Sequence, residues 1–202
     1  MDVLSDYAKA ELVIKNSRFL AEAIPIKTQE QARITIKSQK TRYVDASHVV
    51  HAFAVGNNAE ILGMSDDGEP AGTAGRPVLD ILKGRKCTNI IVTVTRWFGG
   101  TLLGTGGLVK AYGDSAKAVL DIARFHALTA QRTFNFAVSY DNYELAKRFL
   151  SSIEANNITE KFDTSVHFEG RIFSSVEKQL VCYVSELTKG SSTVFVGEEE
   201  YV

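Results

Sequence analysis

The spacing of the glycines constrains the fold of this chain more than any other feature. Of fifteen glycines in 202 residues, twelve lie between Gly56 and Gly113. Glycine adopts positive φ and lets backbones approach closely, so such crowding marks tight turns and intimate packing. The densest run is Arg96-Trp97-Phe98-Gly99-Gly100-Thr101-Leu102-Leu103-Gly104-Thr105-Gly106-Gly107-Leu108-Val109-Lys110. Upstream, Asn89 to Thr95 is a continuous apolar strand; downstream, a helix starting near Gly106 buries Leu108, Ala111, Tyr112, Ser115, Val119 and Ile122 at helical spacing. A strand feeding a glycine loop and then a helix is a geometry that offers unpaired main-chain N–H groups to phosphate. The literal fingerprints are absent: Thr105 stands where a Walker A loop needs lysine, and Val109 where a dinucleotide loop has its third glycine. Close packing of helix on sheet is the competing explanation, and Trp97 and Phe98 fit either base stacking or core.

A second glycine-rich stretch, Ser65-Asp66-Asp67-Gly68-Glu69-Pro70-Ala71-Gly72-Thr73-Ala74-Gly75-Arg76-Pro77, enters another helix. Two readings fit it. A phosphate sits on the helix start around Thr73 and Gly75 with Arg76 adding charge, or one of Asp66, Asp67 and Glu69 fills that end itself. A third stretch, His48-Val49-Val50-His51, lies in a strand pattern, so its histidines point to opposite sides. No cysteine is nearby and no zinc-protease spacing occurs, so no metal and no cofactor are expected. Neither a nucleophile elbow nor a cysteine–histidine pairing is present, and the residues do not by themselves establish an enzyme.

The halves differ in charge. Residues 1–130 carry 16 Lys+Arg against 13 Asp+Glu, and residues 131–202 carry 7 against 11, which together give the net −1. That balance excludes a uniformly basic nucleic-acid binder while leaving a local basic face open. No apolar run is long enough to span a bilayer. The two cysteines, Cys87 and Cys182, have no paired spacing, so free thiols and a cytoplasmic setting are expected. The second half reads β-α-β-β-α-β, with Leu145, Phe149 and Ile153 on one helix face and Leu180, Val184 and Leu187 on the other helix. That is the order of a ferredoxin-like sandwich. Earlier, short strands flank a turn at Asn16-Ser17, and Thr28 with Gln31 is a capping box opening a helix to about Arg42.

The segments SDDGEPAGTAGRPVLDIL (65–82) and VTRWFGGTLLGTGGLVKAYGDSAKAVL (94–120) resemble the two signatures of the IMPACT/YigZ family. Lys15-Asn16-Ser17-Arg18-Phe19 and the strand with His48, Ala52 and Phe53 also fit its pattern. The resemblance implies an α+β protein of two domains. Residues 1–130 would form a domain like the second domain of ribosomal protein S5, and residues 131–202 a ferredoxin-like domain similar to the last domain of translocase elongation factors. Eukaryotic members look like translation regulators that carry an additional N-terminal recognition domain; the ferredoxin-like second domain is the bacterial arrangement.

The expectation is therefore a non-enzymatic regulator of translation that binds RNA, the ribosome or a translation-related protein. Its phosphate-binding residues would be Thr73, Gly75, Arg76, Arg96, Gly104, Thr105, Gly106, Gly107 and Lys110. Salt-sensitive binding would follow. The rival is an enzyme acting on a small phosphorylated or nucleotide substrate at a polar site of His48, His51, Asp66, Asp67 and Glu69, which convergence of a histidine on the acidic turn would favour.

Overall fold

The computed structural model describes residues 1–202 and divides into two units, Met1–Leu128 and Thr129–Val202. The division falls two residues before the expected 130/131 boundary.

In the first unit, β2 (Ala8–Ile14), β3 (Ser17–Pro25), β4 (His48–Val55), β5 (Ile61–Ser65) and β7 (Ile90–Trp97) form one antiparallel sheet in the order β2-β3-β7-β4-β5. β1 (Asp2–Leu4), β6 (Cys87–Thr88) and β8 (Phe125–Ala127) make a small second sheet. The helices are α1 (Gln29–Arg42), α2 (Gly75–Arg85) and α3 (Thr105–Ile122). Alternation along the strands sorts the core. Phe19, Ala21, Val50, Ala52, Val92 and Val94 meet Val78 and Leu82 of α2 and Leu108, Tyr112 and Val119 of α3. On the opposite face Phe53, Val55 and Ile91 meet Ala32 of α1. Phe19 and Tyr112 meet edge to face at 5.3 Å, tying α3 to β3. Ile122, expected in the core, is exposed at the last turn of α3.

The hairpin joining β2 to β3 turns on Lys15-Asn16, one residue earlier than expected. Both have positive φ (46° and 64°), which gives a two-residue turn whose twist suits the strands. Gly99 lies against that turn. A Cβ there would stand 2.0 Å from the Asn16 carbonyl carbon, so only glycine fits.

The second unit contains β9 (Ala130–Val138), α4 (Tyr143–Ser152), β10 (Asn156–Phe162), β11 (Val166–Phe173), α5 (Glu177–Leu187) and β12 (Phe195–Tyr201). Its antiparallel sheet runs β10-β11-β9-β12, the ferredoxin-like order. Phe134, Phe136 and Phe168 pack under Leu150 of α4 and Leu180 and Val184 of α5. Leu145 is exposed; Ala146 and Leu150 bury the inner face of α4 instead. No helix is long and apolar enough to cross a membrane, and both cysteines are free thiols.

Candidate functional site

Two rows that carry polar side chains lie in register on opposite faces of the five-stranded sheet. Beneath α2 and α3, Phe19, Arg96 and His48 stand side by side on β3, β7 and β4; toward α1, the row is Glu22, Thr93 and His51. The two histidines therefore point apart. His51 belongs to the α1 side, where burial and then the nearby Lys40 charge lower its pKa against the opposing pull of Asp67.

The first row borders a cleft of about 460 Å³ lined by His48, Glu69, Pro70, Arg96, Phe98, Leu102, Leu103, Gly104, Thr105 and Leu108. Glu69 is its hub. The Glu69 side chain is 4 % exposed and that of Arg96 6 %. Glu69 Oε1 accepts hydrogen bonds from Arg96 Nη1 at 2.6 Å and from the Tyr112 hydroxyl at 2.7 Å. Burial of both charges is tolerable because each stabilises the other and the phenol adds a donor. Burial first, and then the bond to Glu69, push the Tyr112 phenol far up, so it is a permanent donor. The remaining guanidinium donor, Nε, is buried without a partner, while Nη2 reaches Ser17 Oγ at 3.4 Å.

His48 Nδ1 lies 2.8 Å from the Asp67 main-chain carbonyl. A carbonyl only accepts, so Nδ1 carries the proton, and in the neutral ring Nε2 is left as an acceptor. Nε2 stands 3.9 Å from Glu69 Oε1. Asp67 pins this turn to β4 by accepting from the Val49 amide at 2.7 Å and pairing with Lys40.

The two glycine-flanked helix starts differ. At α2, Asp66 Oδ1 accepts from the amides of Ala74 (3.0 Å) and Gly75 (2.8 Å), and Oδ2 from Gly72 (2.8 Å). Partial burial raises the Asp66 pKa, but the three amide bonds outweigh it and hold the carboxyl below its usual value. Thr73 and Gly75 are buried, and exposed Arg76 pairs with Asp80 at 2.9 Å. This is a correction for Thr73, Gly75 and Arg76 as a phosphate cradle: the protein's own carboxylate already occupies that helix end. At α3 no side chain caps the N-terminus and the first turn holds no acid. Gly104 has φ 75°, a conformation that suits glycine, and Gly104, Thr105, Gly106 and Lys110 are exposed.

Arg96, Gly104 and Thr105 therefore share one cleft with His48 and Glu69, whereas Arg76 and His51 lie outside its lining. Tyr112 was legible only as a core residue at helical spacing. The signal available was its hydroxyl, since a buried tyrosine needs a partner, but its partner is 43 residues away in sequence.

The Impact N-terminal domain family matches residues 15–120, a span that includes every residue of the cleft. The chain belongs to the IMPACT family. Among its IMPACT relatives, YvyE of Bacillus subtilis is 32 % identical over 200 residues, covering 95 % of this chain and 88 % of the relative. The IMPACT family member YigZ of Escherichia coli is 30 % identical over 188 residues, covering 92 % of each. The crystal structure of a hypothetical protein is similar over 98 % of both chains, with 29 % identity and a TM-score of 0.65. The likeness thus spans both units.

Proposed function

We propose that this IMPACT-family chain is a non-enzymatic regulator of translation that docks RNA, the ribosome or a ribosome-associated protein by anion binding at the amino end of α3. The observation that supports this best is the contrast between two helix starts: Asp66 fills that of α2, and that of α3 is uncapped. An open N-terminus carries roughly half a positive charge and free N–H donors. Exposed Lys110 lies within the next turn and a half. With a net charge of −1, attraction would be local to this end rather than general to the surface. Translation enters through the family resemblance, which casts the eukaryotic members as its regulators.

The test is ribosome co-sedimentation across a salt series, comparing wild type with Gly106→Glu. Gly106 is exposed and a Cβ there meets nothing within 4 Å. A first-turn acid also favours the helix, so the variant folds while repelling anions. Wild type is expected to pellet with ribosomes and be released as salt rises, with Gly106→Glu remaining in solution throughout. Salt-independent pelleting, or an unaffected variant, contradicts the proposal.

A second reading, an enzyme acting on a small phosphorylated or nucleotide substrate, is favoured by one observation: His48 converges on the acidic turn at the wall of the cleft. His48 Nε2 would then accept a proton from substrate. Turnover that disappears in His48→Gln while binding persists would support it.

A further inference from the structure

We infer that the cleft at the amino end of α3 is a pocket for one nucleotide, holding a 5′-phosphate on the α3 amides and an amino-bearing base (guanine, adenine or cytosine) against Glu69 and His48. The inference rests on the anion-binding reading above and adds what is attached to the phosphate.

A phosphate alone does not account for the cleft. About 460 Å³ lies within the range of small-molecule sites. Its walls are largely apolar: Phe98, Leu102, Leu103 and Leu108 line it, and two of these project into solvent, Phe98 48 % exposed and Leu102 82 %. Exposed apolar groups around a polar floor suit a flat ring that buries both faces. The Arg96 guanidinium lies 5.5 Å from the Phe98 ring, stiffening that wall by a cation–π contact.

The floor specifies which ring edge fits. Glu69 spends Oε1 on Arg96 and Tyr112, and Oε2 accepts no hydrogen bond from the protein. In the neutral ring, with Nδ1–H on the Asp67 carbonyl, His48 Nε2 is a second acceptor. Two acceptors call for a guest edge with donors. Guanine, adenine and cytosine each carry an exocyclic amino group, and uracil offers carbonyl oxygens in its place. The orphaned, buried Nε of Arg96 shows that the floor is not self-satisfied. Gly104 and Thr105 bring the uncapped start of α3 into the lining of the same cleft. Base at the floor and phosphate at the helix start is thus the orientation that answers both sets of groups.

A free nucleotide and the 5′ end of an RNA present the same chemistry. Calorimetric titration of the full chain would use GMP, AMP, CMP, UMP, ribose 5-phosphate, and short RNAs with either a 5′-phosphate or a 5′-hydroxyl. At least one amino-bearing nucleotide is expected to bind tenfold or more tightly than both UMP and ribose 5-phosphate. If the source is an RNA end, the same preference appears in the first base of 5′-phosphorylated RNA and is lost with the 5′-hydroxyl. Glu69→Gln should level the base preference. Because that change also touches a buried pair, Phe98→Ala is the parallel variant: it should weaken nucleotides tenfold and leave ribose 5-phosphate unchanged. Equal binding of all four nucleotides and ribose 5-phosphate overturns the nucleotide pocket and leaves the anion site standing. Failure of every phosphate compound and RNA to bind overturns both.

Discussion

Asp66 shows how one side chain decides what a helix end can do. Its carboxylate takes three main-chain amides, so replacing it leaves orphan donors at α2. Asp66→Ala is expected to lose about 0.5–2 kcal/mol, read as a lower urea midpoint. The pKa direction fixes the pH dependence. A carboxyl held below its unfolded value contributes stability that is complete above the unfolded pKa and is lost as pH falls through the folded one. Acid unfolding should therefore begin at higher pH in wild type than the carboxyl's folded pKa alone suggests, and Asp66→Asn should flatten that limb of the curve. His51 has the opposite chemistry. Its folded pKa is lowered, so the unfolded chain binds the proton first and stability declines as pH falls below about 6.5. Thermal melts of His51→Gln between pH 7 and 5 should show a shallower decline than wild type; an identical slope would show that His51 is not its source. Glu69 and Arg96 are coupled more tightly. Removing either leaves a buried charge alone, and Glu69→Ala is expected to cost about 3–5 kcal/mol by denaturant titration.

Elements were legible where the signal was local. Thr28 Oγ1 accepts from the Gln31 amide at 3.2 Å, and Gln31 Oε1 returns to the Lys27 amide at 2.5 Å, so the start of α1 could be read from four residues. The long apolar run of β7 and the helical spacing of Leu108, Ala111, Tyr112 and Ser115 were equally readable. β1, β6 and β8 were not, because strands of two or three residues are too short to show alternation. Ile122 and Leu145 were misplaced because periodicity locates a stripe but not where the neighbouring sheet ends. The glycines carried two meanings that sequence could not separate. Gly99 serves packing: its amide donates to Ser17 Oγ at 3.2 Å and the Asn16 carbonyl leaves no room for a side chain. Gly99→Ala must push the β2–β3 turn from β7, and a loss of about 2 kcal/mol or more in chemical denaturation is expected. Gly106 meets nothing and is exposed, so its absent side chain leaves the helix end open.

At the scale of the whole molecule, the ferredoxin-like order of the second unit followed from its β-α-β-β-α-β rhythm, and the sheet confirms it. The five-stranded sheet of the first unit was less legible, since pairing β3 with β7 joins residues 65 to 79 apart. Separation along the chain also hid the site. His48, Glu69, Arg96 and Tyr112 come from β4, the acidic turn, β7 and α3, and no local pattern announces that they meet. What the sequence did show was a glycine-rich helix start. Anion binding should distinguish that start from the start of α2, and amide NMR reads the difference directly. On titrating inorganic phosphate and then a 5′-phosphorylated RNA into the full chain, Thr105, Gly106 and Gly107 amides should shift saturably, with Gly72, Ala74 and Gly75 still. Unmoved α3 amides, or shifts centred on the Asp66-capped start of α2, would contradict it.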